Sequence, residues 1–196
     1  MVNLRRRELV WGMALMSSVG LAPALSKMAS AQKTLPLTAS CDDGDDPTVS
    51  QTEGPYFSPN SPERWKFREP DIEGTPILLT GLVLTPRCVP VSRALVELWH
   101  ANNAGRYDIE GYRLRGHQFT DPAGQYRFST IVPGLYPGRT RHFHLKFQAP
   151  SHSLLTTQFY FPNEPDNERD RLFNPELLLN ISKGSELVGR FDVVLG

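Results

Sequence analysis

The chain has 196 residues, 39% of them hydrophobic and 10% aromatic, enough for one domain with a real core. Its 17 prolines and 15 glycines favour turns and short strands over long helices. Basic and acidic residues balance at 21 each, so the basic excess that marks a nucleic-acid binder is absent.

Residues 1–31 read as an export signal. Arg5, Arg6 and Arg7 open it, an apolar stretch runs from Leu9 to Leu25, and Ala29-Ser30-Ala31 offers a small-residue cleavage site before Gln32. Arg6-Arg7-Glu8-Leu9-Val10 resembles the twin-arginine motif, which carries folded, cofactor-loaded proteins across a bacterial membrane. An uncleaved anchor is the competing reading, but Pro23 and the cleavage site stand where a spanning helix would continue. Cleavage removes Arg5, Arg6, Arg7, Lys27 and Glu8 and leaves 17 basic against 20 acidic residues, a net of −3. The mature protein is expected in the periplasm or outside the cell, without stable membrane insertion. Cys41 and Cys88, an even pair in an oxidising compartment, suggest a disulfide that ties the N-terminal arm to the first strands. Two buried thiols are the alternative.

Residues 32–75 lack periodicity and form an irregular arm. Its acidic run, Asp42, Asp43, Asp45 and Asp46, reads as a solvated loop. Residues 76–196 read as an all-β, antiparallel sandwich. Strands are expected over Ile77–Thr85, Ala94–Trp99, Gln125–Ile131, His142–Phe147, Thr156–Phe161 and Leu187–Leu195, with a short helix around Asn167–Leu172. No internal repeat and no second domain is visible.

The chemistry concentrates between Tyr107 and His144. His142-x-His144 on a strand puts two imidazoles on one face, because side chains alternate with period two. A lone histidine is usually a hydrogen-bonded surface or core residue; two at this spacing raise the odds of a metal pair. Neither cysteine looks like a ligand, but Tyr107 and Tyr136 stand in loops nearby. A phenolate is a hard anionic ligand that suits ferric iron better than zinc or copper(I). Each tyrosine alone is unremarkable, as packing residue or turn anchor. Zinc or copper on His142 and His144, completed by His117 from a loop, is a second reading. A third is an exported sandwich that binds a partner without chemistry. His100 and His152 are assigned only exposure or ordinary hydrogen bonding.

The joint pattern is more specific. Trp-x-Ala-Asn-x-x-Gly-x-Tyr ending at Tyr107 is followed by Thr-Asp-x-x-Gly-x-Tyr-x-Phe-x-Thr-Ile-x-Pro-Gly-x-Tyr-Pro around Tyr136. Then come His142-x-His144 and Thr-Thr-Gln-x-Tyr-Phe. From about Thr52 to Phe161 this resembles the intradiol ring-cleavage dioxygenases, most of all the protocatechuate 3,4-dioxygenase-like branch. The resemblance implies Fe(III) held by Tyr107, Tyr136, His142 and His144, with Tyr136 and His142 axial and Tyr136 leaving when substrate binds. It implies that Arg139 stabilises charge developing on the substrate ring, that Gln158 stands beside the active site, and that Tyr160 packs behind it. Gly54, Pro55 and Tyr56 would border the substrate pocket. Arg141 is the rival for the Arg139 role, but on a strand it would point away from both histidines. The implied reaction opens a catechol-type ring with O2 to a cis,cis-muconate-type diacid. Members of the family often assemble through their N-terminal arms, which leaves a homo-oligomer open. Gly138 stands where the protocatechuate enzymes carry a bulky Trp, so the pocket is expected to be more open and the particular catechol is not carried over.

Overall fold

The computed structural model describes residues 46–196. The export segment, Cys41 and the first part of the arm lie outside the described residues. Cys88 is disulfide-bonded.

Among the described residues nine strands follow in chain order: β1 (Pro76–Leu84), β2 (Leu95–Trp99), β3 (Arg115–Phe119), β4 (Gln125–Ile131), β5 (His142–Gln148), β6 (Leu155–Tyr160), β7 (Asn180–Lys183), β8 (Leu187–Arg190) and β9 (Val193–Val194). They form two sheets. One runs β3-β2-β5-β6 and is antiparallel throughout. The other runs β4-β1-β8-β7, with β9 also on β1, and is mixed, because β8 and β9 pair with β1 in parallel.

Alternation builds the core. Ile77, Leu79 and Val83 of β1 and Tyr126 and Phe128 of β4 face Val96, Leu98, Phe143, Leu145, Phe147 and Phe159 of the other sheet. All are at most 1% exposed. The inner faces of the two sheets thus carry the hydrophobic stabilisation, as in other sandwiches. Among the described residues no helix is long and apolar enough to cross a membrane.

Several elements differ from the sequence expectation. The expected last strand is two, β8 and β9. Between them Phe191 accepts a hydrogen bond from the Tyr126 hydroxyl at 2.7 Å, and Asp192 Oδ1 accepts the Leu82 N–H at 2.8 Å. Residues 167–172 form turns, and the one short helix among the described residues, a 3₁₀ turn, lies at Pro175–Leu177. Asp170 contributes: its carboxylate takes the Leu172 N–H at 2.9 Å, a donor that a helix would use, and it also accepts the Thr140 N–H at 2.9 Å. β3 and β7 were not expected as strands. His117 therefore lies on β3 rather than in a loop.

The arm is irregular but not detached. Phe67 is fully buried in the core, and Trp65 and Ile72 pack against it. Further upstream the arm runs along the edge strand β6: the Gln51 N–H donates to Thr156 O at 2.7 Å and Gln158 Nε2 donates to Thr52 O at 2.8 Å. It thereby covers the outer face of the β3-β2-β5-β6 sheet, where the site lies.

Candidate functional site

β5 turns Phe143, Leu145 and Phe147 into the core. By alternation its other face presents His142, His144 and Lys146 outward, beneath the arm and the loops that carry Tyr107 and Tyr136. Those two loops lean on each other. Asn102 folds the first one, its Oδ1 accepting the Ala104 and Arg106 N–H groups at 3.0 Å each. Gly105, at φ +74°, then approaches so closely that a Cβ there would sit 2.0 Å from Leu135 O, next to Tyr136. Only glycine permits that approach. The Asn-x-x-Gly-x-Tyr spacing therefore brings the two tyrosine loops together.

Three donor atoms converge. Tyr107 Oη is 3.2 Å from His142 Nε2 and 3.1 Å from His144 Nε2, and the two Nε2 atoms are 3.1 Å apart. His142 Nδ1 lies 2.6 Å from Thr140 O, a pure acceptor, so Nδ1 carries the proton and Nε2 turns its lone pair to the cluster. The Trp99 ring stacks on His144 at 5.2 Å and 8°, fixing its plane. From the arm, Gly54 closes the other side: a Cβ there would lie 3.2 Å from His144 Cε1, and its φ is +74°.

Electrostatics keep these groups neutral. Burial, helped by the Arg139 charge, lowers His142 to about 4. Burial and the neighbouring His142 and Arg139 hold His144 well below the usual histidine range. Burial also pushes the Tyr107 phenol well above its ordinary value, while Arg139 pulls it back. A cation among the three donors would reverse each of these tendencies, because it would use two imidazole lone pairs and favour the phenolate.

Tyr136 stands beside the triangle and not in it. Its ring is 5.9 Å from the Tyr107 ring, and its hydroxyl meets the Tyr56 hydroxyl at 2.8 Å. Tyr56 stacks on Tyr107 at 4.5 Å and 15°, so one aromatic residue of the arm touches both phenols. Pro55 is exposed. Arg139 points toward Gln158, donating from Nη2 to Gln158 Oε1 at 2.6 Å, and its Nε donates to Asp170 at 2.8 Å. Arg141 turns elsewhere, to Glu164 at 2.7 Å. Tyr160 is fully buried, 6.3 Å from the His142 ring, and its hydroxyl donates to Leu172 O at 2.7 Å. Next to Tyr136 and Arg139 a cavity of about 340 Å³ opens, and a Cβ on Gly138 would meet nothing within 4 Å.

The structure does not bring His117 to the cluster. It lies on β3, in register with Glu97, and β2 stands between it and β5. Its Nδ1 meets Ser61 Oγ at 3.3 Å. The three-histidine arrangement therefore does not form. Among the described residues no group of three or more His, Cys, Asp or Glu is placed to hold a metal, so any metal here depends on phenol oxygens. His100 is not exposed: it is buried between Ala101 O at 2.8 Å and Thr130 Oγ1 at 2.7 Å. Sequence reasoning missed Asp170, Trp99 and Arg115. Asp170 and Arg115 sat in segments read as a helix and a loop, where nothing singled them out.

The donor set fits a hard metal ion. Metal bonds to nitrogen and oxygen run about 2.0–2.2 Å, and two at a near-right angle put their donors about 3 Å apart. The triangle has edges of 3.1–3.2 Å. Phenol oxygen beside neutral imidazole is the mixture a ferric ion accepts. Fold and site together define a class: two-sheet sandwiches with a phenol–imidazole donor cluster on the outer face of one sheet.

Comparison with known proteins narrows the class. A family model described as Dioxygenase matches residues 52–193. The chain is similar to the protocatechuate 3,4-dioxygenase beta chain of Burkholderia cepacia, 36% identical over 152 residues, covering 62% of this chain and 65% of that one. It is also similar to the solved dioxygenase domain of a dioxygenase–carbohydrate-binding protein fusion from Streptomyces sp. SirexAA-E. There the identity is 50% and the TM-score 0.74, with coverage of 76% of this chain and 98% of that one. For the 3-chlorocatechol 1,2-dioxygenase of Rhodococcus opacus 1CP the values are 27%, 0.72, 76% and 73%. The chain spans 39–65% of the length of the curated relatives it matches. It belongs to the intradiol ring-cleavage dioxygenase family.

Proposed function

We propose that this chain opens the ring of a catechol-type aromatic with O2, giving a cis,cis-muconate-type diacid, at a mononuclear Fe(III) site held by Tyr107, Tyr136, His142 and His144. The observation that carries the reading is the closed triangle of Tyr107, His142 and His144 donors, with the Tyr136 phenol beside it. Bound there, the ferric ion would act as a Lewis acid that draws in the catechol oxygens and activates the ring toward dioxygen.

The chain's own residues do the rest. The Tyr136 phenolate accepts a proton from an incoming catechol hydroxyl, and the Tyr56 hydroxyl, 2.8 Å away, holds the phenol so formed. Arg139 supplies fixed positive charge where the ring becomes negative. Gln158 and Asp170 orient it, each through its own hydrogen bond. Such a preorganised donor contributes about 3 kcal/mol to lowering a barrier. Trp99, Phe57 and the arm cover the sheet face and keep bulk water from the donors. The cavity beside Gly138 leaves room for a substituted ring.

The proposal extends to location and to the arm. Residues 1–31 would direct export, and Cys88 would pair with Cys41, the chain's other cysteine. N-terminal sequencing of secreted protein and non-reducing mass spectrometry check both.

The activity is tested by incubating iron-loaded protein with catechol under ¹⁸O2 and analysing the product. A diacid that carries both labelled atoms supports the reading. No consumption of catechol or oxygen by iron-loaded protein would contradict it.

A further inference from the structure

Three buried nitrogen atoms without a hydrogen-bond partner lie on one row of the donor-bearing sheet: Arg115 Nε, Trp99 Nε1 and His144 Nδ1. The register sets the residues side by side, Arg115 on β3 opposite Trp99 on β2, and Trp99 opposite His144 on β5. Arg115 is the unexpected member. It is 2% exposed, and among the described residues no carboxylate stands within ion-pair distance of it. Burying a guanidinium without a paired charge is costly, so a purely structural purpose would be better served by an apolar side chain.

Its contacts supply a reason. Nη1 donates to the Tyr56 carbonyl at 2.8 Å, and Nη2 donates to the Asp108 carbonyl. Asp108 directly follows Tyr107. Tyr56 stacks on Tyr107 and hydrogen-bonds the Tyr136 hydroxyl. One planar fork therefore ties together the two backbone segments that set the three phenol rings of the site. Two parallel donors at a fixed angle are a property of arginine that lysine lacks.

We propose that Arg115 is a positioning residue for the ring-cleavage reaction: it clamps the Tyr56 and Tyr107 segments onto the histidine-bearing sheet, so that the Tyr107 phenol is held at the two imidazoles. The inference rests on the ferric-site reading above.

The test compares ferric-loaded wild type, Arg115→Lys and Arg115→Gln by iron affinity and by the phenolate-to-iron absorption band, with thermal melts of the metal-free proteins as the check on folding. Both variants are expected to bind ferric ion about 10- to 100-fold more weakly, the loss typical of outer partners of metal ligands. In both variants the band shifts and weakens, because the Tyr107 ring no longer holds its angle to the two imidazoles. Folded variants with wild-type affinity and an unshifted band would overturn the inference. A wild type that shows no band at all would instead overturn the ferric-site reading, so the two failures are distinct. If neither variant folds, ¹⁵N-arginine-labelled wild type decides the matter with gallium(III), a diamagnetic ion of ferric charge. The Arg115 Nε–H signal, assigned through bonds from its backbone, should shift on gallium binding; an unmoved signal refutes the role.

Discussion

Acid should weaken the metal-free protein well before its carboxylates titrate. Three buried imidazoles are held neutral in the fold. His100, by burial first, and His142, by burial and the Arg139 charge, are lowered to about 4, and His144 lies well below its usual range. In the unfolded chain each returns to about 6.5. The unfolded state then binds more protons below pH 6.5, so this stability is complete above that value and is lost as pH falls toward 4. A histidine moved from about 6.5 to about 4 forfeits about 1.3 kcal/mol between pH 7.5 and 5.5, so His100 and His142 together forfeit about 2.6 kcal/mol, and His144 adds to the loss in the same direction. Asp108 and Asp170 are lowered, and their contribution fades only as pH drops below the ordinary carboxylate range, outside this window. Urea unfolding of chelator-treated protein at pH 7.5, 6.5 and 5.5, at constant ionic strength, measures the loss. A decline of less than about 1 kcal/mol over that span would refute the reasoning, because the imidazoles would then take up protons while still folded.

Other perturbations report on separate parts of the site. Gly54→Ala adds a Cβ 3.2 Å from His144 Cε1 at φ +74°; a melt should show about 1–2 kcal/mol of destabilisation, together with weaker iron binding, and unaltered iron binding would detach the arm from His144. Asp170→Ala strips partners from Arg139 Nε and from the Thr140 and Leu172 N–H groups. It should cost about 3 kcal/mol in urea unfolding, and a cost below about 1 kcal/mol would show those groups finding other acceptors. His144→Ala and Tyr107→Phe should abolish iron binding or turnover, whereas Tyr136→Phe should keep iron, change its colour and slow product release; full turnover by His144→Ala would sink the ligand assignment.

How much of this was legible in the sequence depends on where side chains meet the core. β1, β2 and β4 bury one face each, and β5, though buried on both faces, sends Phe143, Leu145 and Phe147 to the core at every second position, so their alternation shows in the letters. β3 does not alternate, because its core-facing position opposite Leu98 is Gly116. A side chain there would collide with Phe67 Cε1 at 2.9 Å, so an arm residue fills the space that a strand residue normally fills. β7 is a polar edge strand whose residues are mostly exposed, and it too carries no apolar pattern. The spacing of His142 and His144 was readable because period two is a local property. The approach of Tyr107 was readable only through the motif, since a loop position depends on Gly105 meeting Leu135 O 30 residues along the chain. Arg115 and Asp170 also reach backbone groups distant in sequence, the Tyr56 carbonyl and the Thr140 amide, and no local pattern encodes such partners.

The ferric site itself is the central claim, and a visible spectrum of the purified, iron-loaded protein addresses it most directly, recorded before and after anaerobic addition of catechol. The account predicts a broad phenolate-to-iron band that shifts on catechol addition, with both the band and the shift lost in Tyr107→Phe. A protein that stays colourless after ferric loading would contradict it.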